Sequence, residues 1–235
     1  MTLRKKAFTL IEMLVVIMII AILAAALFPA ISAAIAQAKS TAMKNRGRGI
    51  WTAVLSANAE REPLGMPNIW PSSSYDSSTS YFKYLMGCTL GAGGAAGTTA
   101  GNPICEDMKP GTLVGPGMGA SVEAGSFSPG NNAWCIASEV SSNTISEDAF
   151  IFTRNIDFGT STKDNKAIVA NSDQSKLTTD PTLLGGFNLN RGIYVTYGGA
   201  CIDRRDKYMG YDANNSLTNN LVSSTNTVQI FRPTP

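Results

Sequence analysis

The sequence predicts an α+β chain: one long N-terminal helix packed on a small head with an antiparallel β-sheet. The first half of the helix spans a membrane and the second half is amphipathic. Three observations carry this. No charged residue stands between Met13 and Ala38. Apolar residues then recur at helical spacing, at Ile31, Ile35, Ala38 and Ala42 and again at Ile50, Val54 and Ala57. Beyond residue 62 the chain breaks into short runs rich in Ile, Val, Phe, Tyr and Thr, bounded by Asn, Asp and Gly.

The uncharged stretch is 26 residues long, about 39 Å of helix at 1.5 Å per residue. That exceeds both the roughly 30 Å hydrocarbon core of a bilayer and the apolar core of an ordinary secretory signal. The transmembrane part is placed at approximately 8–36. Arg4, Lys5 and Lys6 precede it, and by the positive-inside tendency they stay in the cytoplasm and put the head outside. Small residues at Ala24-Ala25-Ala26 leave a conventional signal cleavage open. Pro29 removes one backbone hydrogen bond and invites a kink. Lys39, Lys44, Arg46 and Arg48 suit a solvated or phosphate-facing flank, while Gly47 and Gly49 weaken the helix by about 1 kcal/mol each. Glu62-Pro63 ends the helix, which gives a boundary at residue 62 and a head over 63–235.

In the head, SSTSYFKYLMG reads as a short helix with Ser78 as candidate N-cap and Gly87 as stop. The stretch from Gly91 to Pro103 has no periodicity and reads as a loop. Strands are expected within 149–155, 166–171, 192–199 and 227–233, and 131–140 suits strand or short helix equally. Trp51, Trp70 and Trp134 read as core or interface aromatics.

Composition limits the chemistry. The chain has no histidine, so His-bearing triads and most zinc sites are excluded. No nucleophile–base pair has a recognisable spacing, and a net charge of +2 gives no support to nucleic-acid binding. Cys88, Cys105, Cys135 and Cys201 form no CxxC pair. In an oxidising compartment they allow three pairings, of which Cys88–Cys105 across the Gly-rich stretch is the first choice and Cys135–Cys201 follows by elimination. Free buried thiols stay open as the other reading.

One residue resists the membrane reading. Glu12 places a carboxylate near the start of the apolar run, where a neutral residue would insert better. The stretch KKAFTLIEMLVVIMIIAIL that contains it closely resembles the class III signal of type IV pilins and of type II secretion pseudopilins. The resemblance covers roughly residues 4 to 40. It implies that a prepilin peptidase removes a leader of residues 1–7 by cutting between Ala7 and Phe8, then methylates the Phe8 amine. Ala7 stands where the family usually has glycine, a small residue in place of the smallest.

The resemblance further implies that Phe8, Glu12 and Pro29 serve assembly. The new Phe8 amine of one subunit neutralises Glu12 of a neighbour, or of its own helix at i,i+4 spacing. Implied partners are the peptidase, an inner-membrane assembly platform and other pilin-like subunits in a homo-oligomeric or mixed filament. The implied location is the bacterial inner membrane, then a periplasmic pseudopilus or an extracellular pilus. A pseudopilin is the first reading, with a lean from the Thr153-Arg154-Asn155 segment. A pilus subunit for adhesion or motility is the second, and a membrane-anchored exported enzyme or binding protein the third. Some major pseudopilins bind calcium, and Asp203, Asp206 and Asp212 are weak candidates here, since they lack EF-hand spacing.

Overall fold

A computed structural model describes residues 9–119, 123–137, 149–157, 167–168, 176–178, 180–204 and 228–233. The first element, α1 (Leu10–Arg61), is an unbroken helix of 52 residues that runs through Pro29. A 3₁₀ turn at Glu62–Leu64 follows and closes on Gly65 in the left-handed region. The head continues with α2 (Ser78–Leu85), β1 (Cys88–Leu90), β2 (Ala96–Ala100), α3 (Pro110–Leu113), β3 (Trp134–Ala137), β4 (Ala149–Thr153), β5 (Ile156–Asp157), β6 (Ala167–Ile168), β7 (Lys176–Leu177), α4 (Pro181–Leu184), β8 (Gly192–Thr196), β9 (Cys201–Arg204) and β10 (Val228–Phe231).

Six strands form one sheet in the order β6-β10-β3-β4-β8-β9, and every pairing in it is antiparallel. Two small pairs, β1–β2 and β5–β7, stand apart from it. Backbone contacts divide the chain into one unit ending at Lys39 and a second beginning at Ser40.

Within the first unit the helix is exposed, from Leu10 through Phe28 to Ile35. A helix apolar all round has no core-facing stripe, which is the pattern of a membrane span and not of a surface helix. Mean hydropathy over its best 18-residue window is 3.0, long and apolar enough to cross a bilayer. The Ser32 hydroxyl donates back to the Phe28 carbonyl at 3.1 Å, one turn away.

Within the second unit the same helix becomes one-sided. Its buried residues are Ser40, Met43, Gly47, Ile50, Ala53, Val54 and Ala57, and they pack with Trp134, Ile136, Ile151, Ile193, Val195 and Phe231 of the sheet. The expected stripe holds at Ile50, Val54 and Ala57 but not upstream. Ile31, Ile35, Ala38 and Ala42 are exposed, and Ser40, Met43 and Gly47 carry the buried face instead. The reason is closeness of approach. A Cβ on Gly47 would lie 2.8 Å from Val195 Cγ2 and 3.0 Å from Trp134 Cη2, so a side chain there has no room. Gly49 faces open space. The two glycines are therefore expected to differ in sign: Gly49→Ala should stabilise the head by about 1 kcal/mol, read in urea denaturation, through helix propensity alone.

The sheet is covered on both faces. Cys135, Phe152 and Tyr194, which alternate with the helix-facing residues, are also fully buried. That is why β3, β4 and β8 read as continuous apolar runs without polar alternation. The strands expected at 149–155, 166–171, 192–199 and 227–233 all form, and 131–140 contributes β3.

Three expectations need correction. Ser77 and not Ser78 caps α2, accepting from the Ser80 backbone N–H, while Ser78 is buried with its hydroxyl donating to the Trp134 carbonyl at 2.8 Å. Gly87 does end that helix, at φ +93. The stretch from Gly91 to Pro103 contains a 3₁₀ turn and strand β2, held by pairing with β1 and not by any periodicity of its own. Lastly, the four cysteines are free thiols. Cys135 and Cys201 lie on β3 and β9, three strands apart in the sheet order. At about 4.8 Å per strand that is roughly 14 Å, twice what a disulfide can bridge. Cys88 and Cys105 are each buried and are not joined in this structure.

Candidate functional site

The helix begins with a reciprocal pair of hydrogen bonds. The Thr9 backbone N–H donates to Glu12 Oε2 at 2.8 Å, the Thr9 hydroxyl donates to the same oxygen at 2.6 Å, and the Glu12 N–H reaches back to Thr9 Oγ1 at 3.4 Å. The four residues Thr9-Leu10-Ile11-Glu12 are thus a capping box, which satisfies two of the N–H groups that every helix start leaves without partners. Glu12 also sits in the first turn, where the helix dipole favours a negative charge. The carboxylate is therefore held by its own chain and aimed back at the helix start. Sequence reading found Glu12 but missed Thr9, although a Thr three residues before a Glu was the available signal. Ala7 and Phe8 lie outside the described residues. Pro29 lies inside α1 with the helix assigned across it.

A second polar cluster joins α1 to the edge of the sheet. Asp203 Oδ2 receives the Ser40 hydroxyl at 2.8 Å and Arg191 Nη1 at 2.9 Å, with Lys44 Nζ at 3.6 Å. The Cys201 thiol donates to the Lys44 carbonyl at 3.5 Å. Two residues further along the helix, Arg46 donates to the Val114 carbonyl. Asp203, weighed above as a weak calcium candidate, clamps the helix to β9 through Oδ2, which it shares between two cations and a hydroxyl. Asp206 and Asp212 lie outside the described residues, and among the described residues no group of three Asp, Glu or Cys could hold a metal.

Burial pushes the Asp203 carboxyl up, but the Ser40 and Arg191 hydrogen bonds and the charges of Lys44 and Arg191 outweigh it and hold the group below its ordinary value. A carboxylate lowered by folding stabilises the fold above its unfolded pKa and loses that effect as pH falls through the folded one. Asp203→Asn is therefore expected to cost about 1 kcal/mol at neutral pH. The difference from wild type should shrink as the pH drops below about 4, as followed by thermal melts across pH.

The buried segment Thr153-Arg154-Asn155 is a structural staple. Thr153 accepts from the Ile193 N–H at 3.0 Å, Arg154 Nη1 donates to the Pro129 and Asn132 carbonyls at 2.7 and 2.9 Å, and Asn155 Nδ2 donates to those of Leu189 and Arg191. Arg232 completes it, donating to the Arg154 and Ile156 carbonyls. The thiols offer no nucleophile. Burial pushes Cys105 up to about 12 and Cys201 up to about 11, and it raises Cys88 and Cys135 as well, so all four stay protonated at neutral pH.

No curated protein and no solved structure matches the chain. A family model does match at the N-terminus, over residues 2–28, and its description is the prokaryotic N-terminal methylation motif. Those residues contain the basic leader, the Thr9–Glu12 box and most of the apolar helix. Residues 2–28 thus match the prokaryotic N-terminal methylation motif, in agreement with the class III prepilin signal that this stretch resembles.

Proposed function

We propose that this protein is a structural subunit of a type IV pilin-like filament. In this reading it is stored in the bacterial inner membrane with its head outside the cytoplasm, and it polymerises through α1 into a periplasmic type II secretion pseudopilus that drives protein export. The observation that carries the reading is the capped carboxylate at the start of an exposed, wholly apolar helix within the methylation motif. A soluble enzyme has no use for such a helix, and an ordinary anchor gains only a cap from Glu12 and nothing from the methylation motif around it. The protonated, buried thiols and the absence of histidine also leave the head poorly equipped as an enzyme. A pilus subunit shares every one of these features and is the competing reading.

Two experiments test this. Intact-mass spectrometry of the membrane-extracted protein should show a chain beginning at N-methyl-Phe8; a terminus after Ala26 or Ala30 would return it to the ordinary secreted class. Localising the assembled filament separates the two machines. A fibre confined to the periplasm at native expression supports the pseudopilus, and abundant sheared surface fibre overturns it in favour of the pilus.

A further inference from the structure

The four cations that follow the apolar span are not equivalent. Lys44 is committed to Asp203 and Arg46 to the Val114 carbonyl. Lys39 and Arg48 are exposed and make no hydrogen bond or ion pair among the described residues. Lys39 is also the first charge after the uncharged stretch that ends at Ala38. With the span ending near residue 36, Lys39 stands three residues further on, about 4.5 Å along the helix. The headgroup layer on each side of a bilayer is roughly 5–7 Å deep, so the Lys39 ammonium falls inside it.

We propose that Lys39 binds anionic phospholipid headgroups of the outer leaflet, with Arg48 as a weaker second contact. This rests on the membrane-stored subunit proposed above. Charge complementarity selects the partner, because an ammonium at phosphate depth with no partner among the described residues pairs with a phospholipid anion. Arg48 lies about 18 Å beyond the same end of the span. Helical side chains lean toward the N-terminus, which brings its guanidinium back toward the surface. It still meets the lipid field only near one Debye length, about 8 Å at physiological salt. The committed pair, Lys44 and Arg46, adds little: Lys44 already faces a carboxylate, and Arg46 is turned into the head.

The test uses membrane-extracted full-length protein reconstituted in phosphatidylcholine vesicles, with spin-labelled phosphatidylglycerol or phosphatidylcholine as the probe. Wild type should favour phosphatidylglycerol, and Lys39→Gln should reduce that preference about fivefold, the weight of one cation at the surface. Arg48→Gln should reduce it less than twofold, and high salt should erase the wild-type preference. Equal preference in wild type and Lys39→Gln overturns the proposal, as does a larger loss from Arg48→Gln. If the protein does not enter vesicles at all, the membrane-stored reading falls and the proposal with it. Vesicle flotation separates that outcome from an inserted protein that shows no lipid preference.

Discussion

Glu12→Leu is expected to give a protein that inserts, is cut and methylated at Phe8, and does not build filaments. Insertion improves because a polar cost is removed from the apolar run. The scissile bond and the basic leader are untouched. The capping box does not survive: leucine leaves the Thr9 N–H without its Glu12 acceptor, which costs on the order of 1 kcal/mol at the helix start. The larger effect falls on assembly, where a Phe8 amine enters a helical bundle of low dielectric with no counter-charge, a loss of several kcal/mol. The measurement is filament yield set beside the amount of processed subunit in the membrane. Normal filaments from a fully processed variant would show that the charge is dispensable. Thr9→Val separates the two roles, since it removes the hydroxyl arm of the box and leaves the Glu12 charge for a neighbour. It should therefore weaken assembly far less than Glu12→Leu.

Gly47→Val is expected to destabilise the head strongly, at the seam between the helix and the sheet. A Cβ alone already falls within 3.0 Å of both Val195 and Trp134, and valine adds two methyl groups to that collision. The helix and the centre of the sheet would have to separate, so Met43 and Ile50 on either side would lose contact with the strands they pack on. Overpacking of this kind costs about 1–3 kcal/mol, with lost burial in addition. In a head whose total stability is of the usual order of 5–15 kcal/mol, that is a substantial share. Urea denaturation of Gly47→Val beside Gly49→Ala is the decisive comparison, because glycine as a mere helix weakener predicts that both changes stabilise.

These two residues also show what the sequence could convey. The long helix, the apolar span and the strands at 149–155 and 192–199 were legible because local pattern alone determines them. The phase of the helix between Ser40 and Gly47 was not. It depends on how closely the helix approaches β8 and β3, and a glycine and a serine are invisible to a hydrophobic stripe. The pairing of Cys135 with Cys201 failed for a related reason: strand order is a long-range property, and elimination among four cysteines cannot recover it. Asp203 misled because an aspartate among Asp and Asn residues reads as a turn or a metal loop. Its real partners, Ser40 and Lys44, lie far upstream in the chain. At the candidate site the charge at Glu12 stood out against apolar neighbours, while its local partner Thr9 passed as one more small residue.

The position of β10 sets a timetable for the head. Val228–Phe231 lies between β3 and β6 and not at the rim of the sheet, and Arg232 just after it ties down the Arg154 and Ile156 carbonyls. During synthesis β3, β4 and β8 emerge first, so the free side of β3 has no strand beside it until residues 228–232 have followed. An unpaired strand edge is a template for the wrong partner. Every head thus passes through an interval in which a second copy can occupy the place reserved for its own β10. Crowding of nascent chains lengthens the odds against correct closure, and anything that shields the β3 edge during that interval acts as a chaperone for this fold.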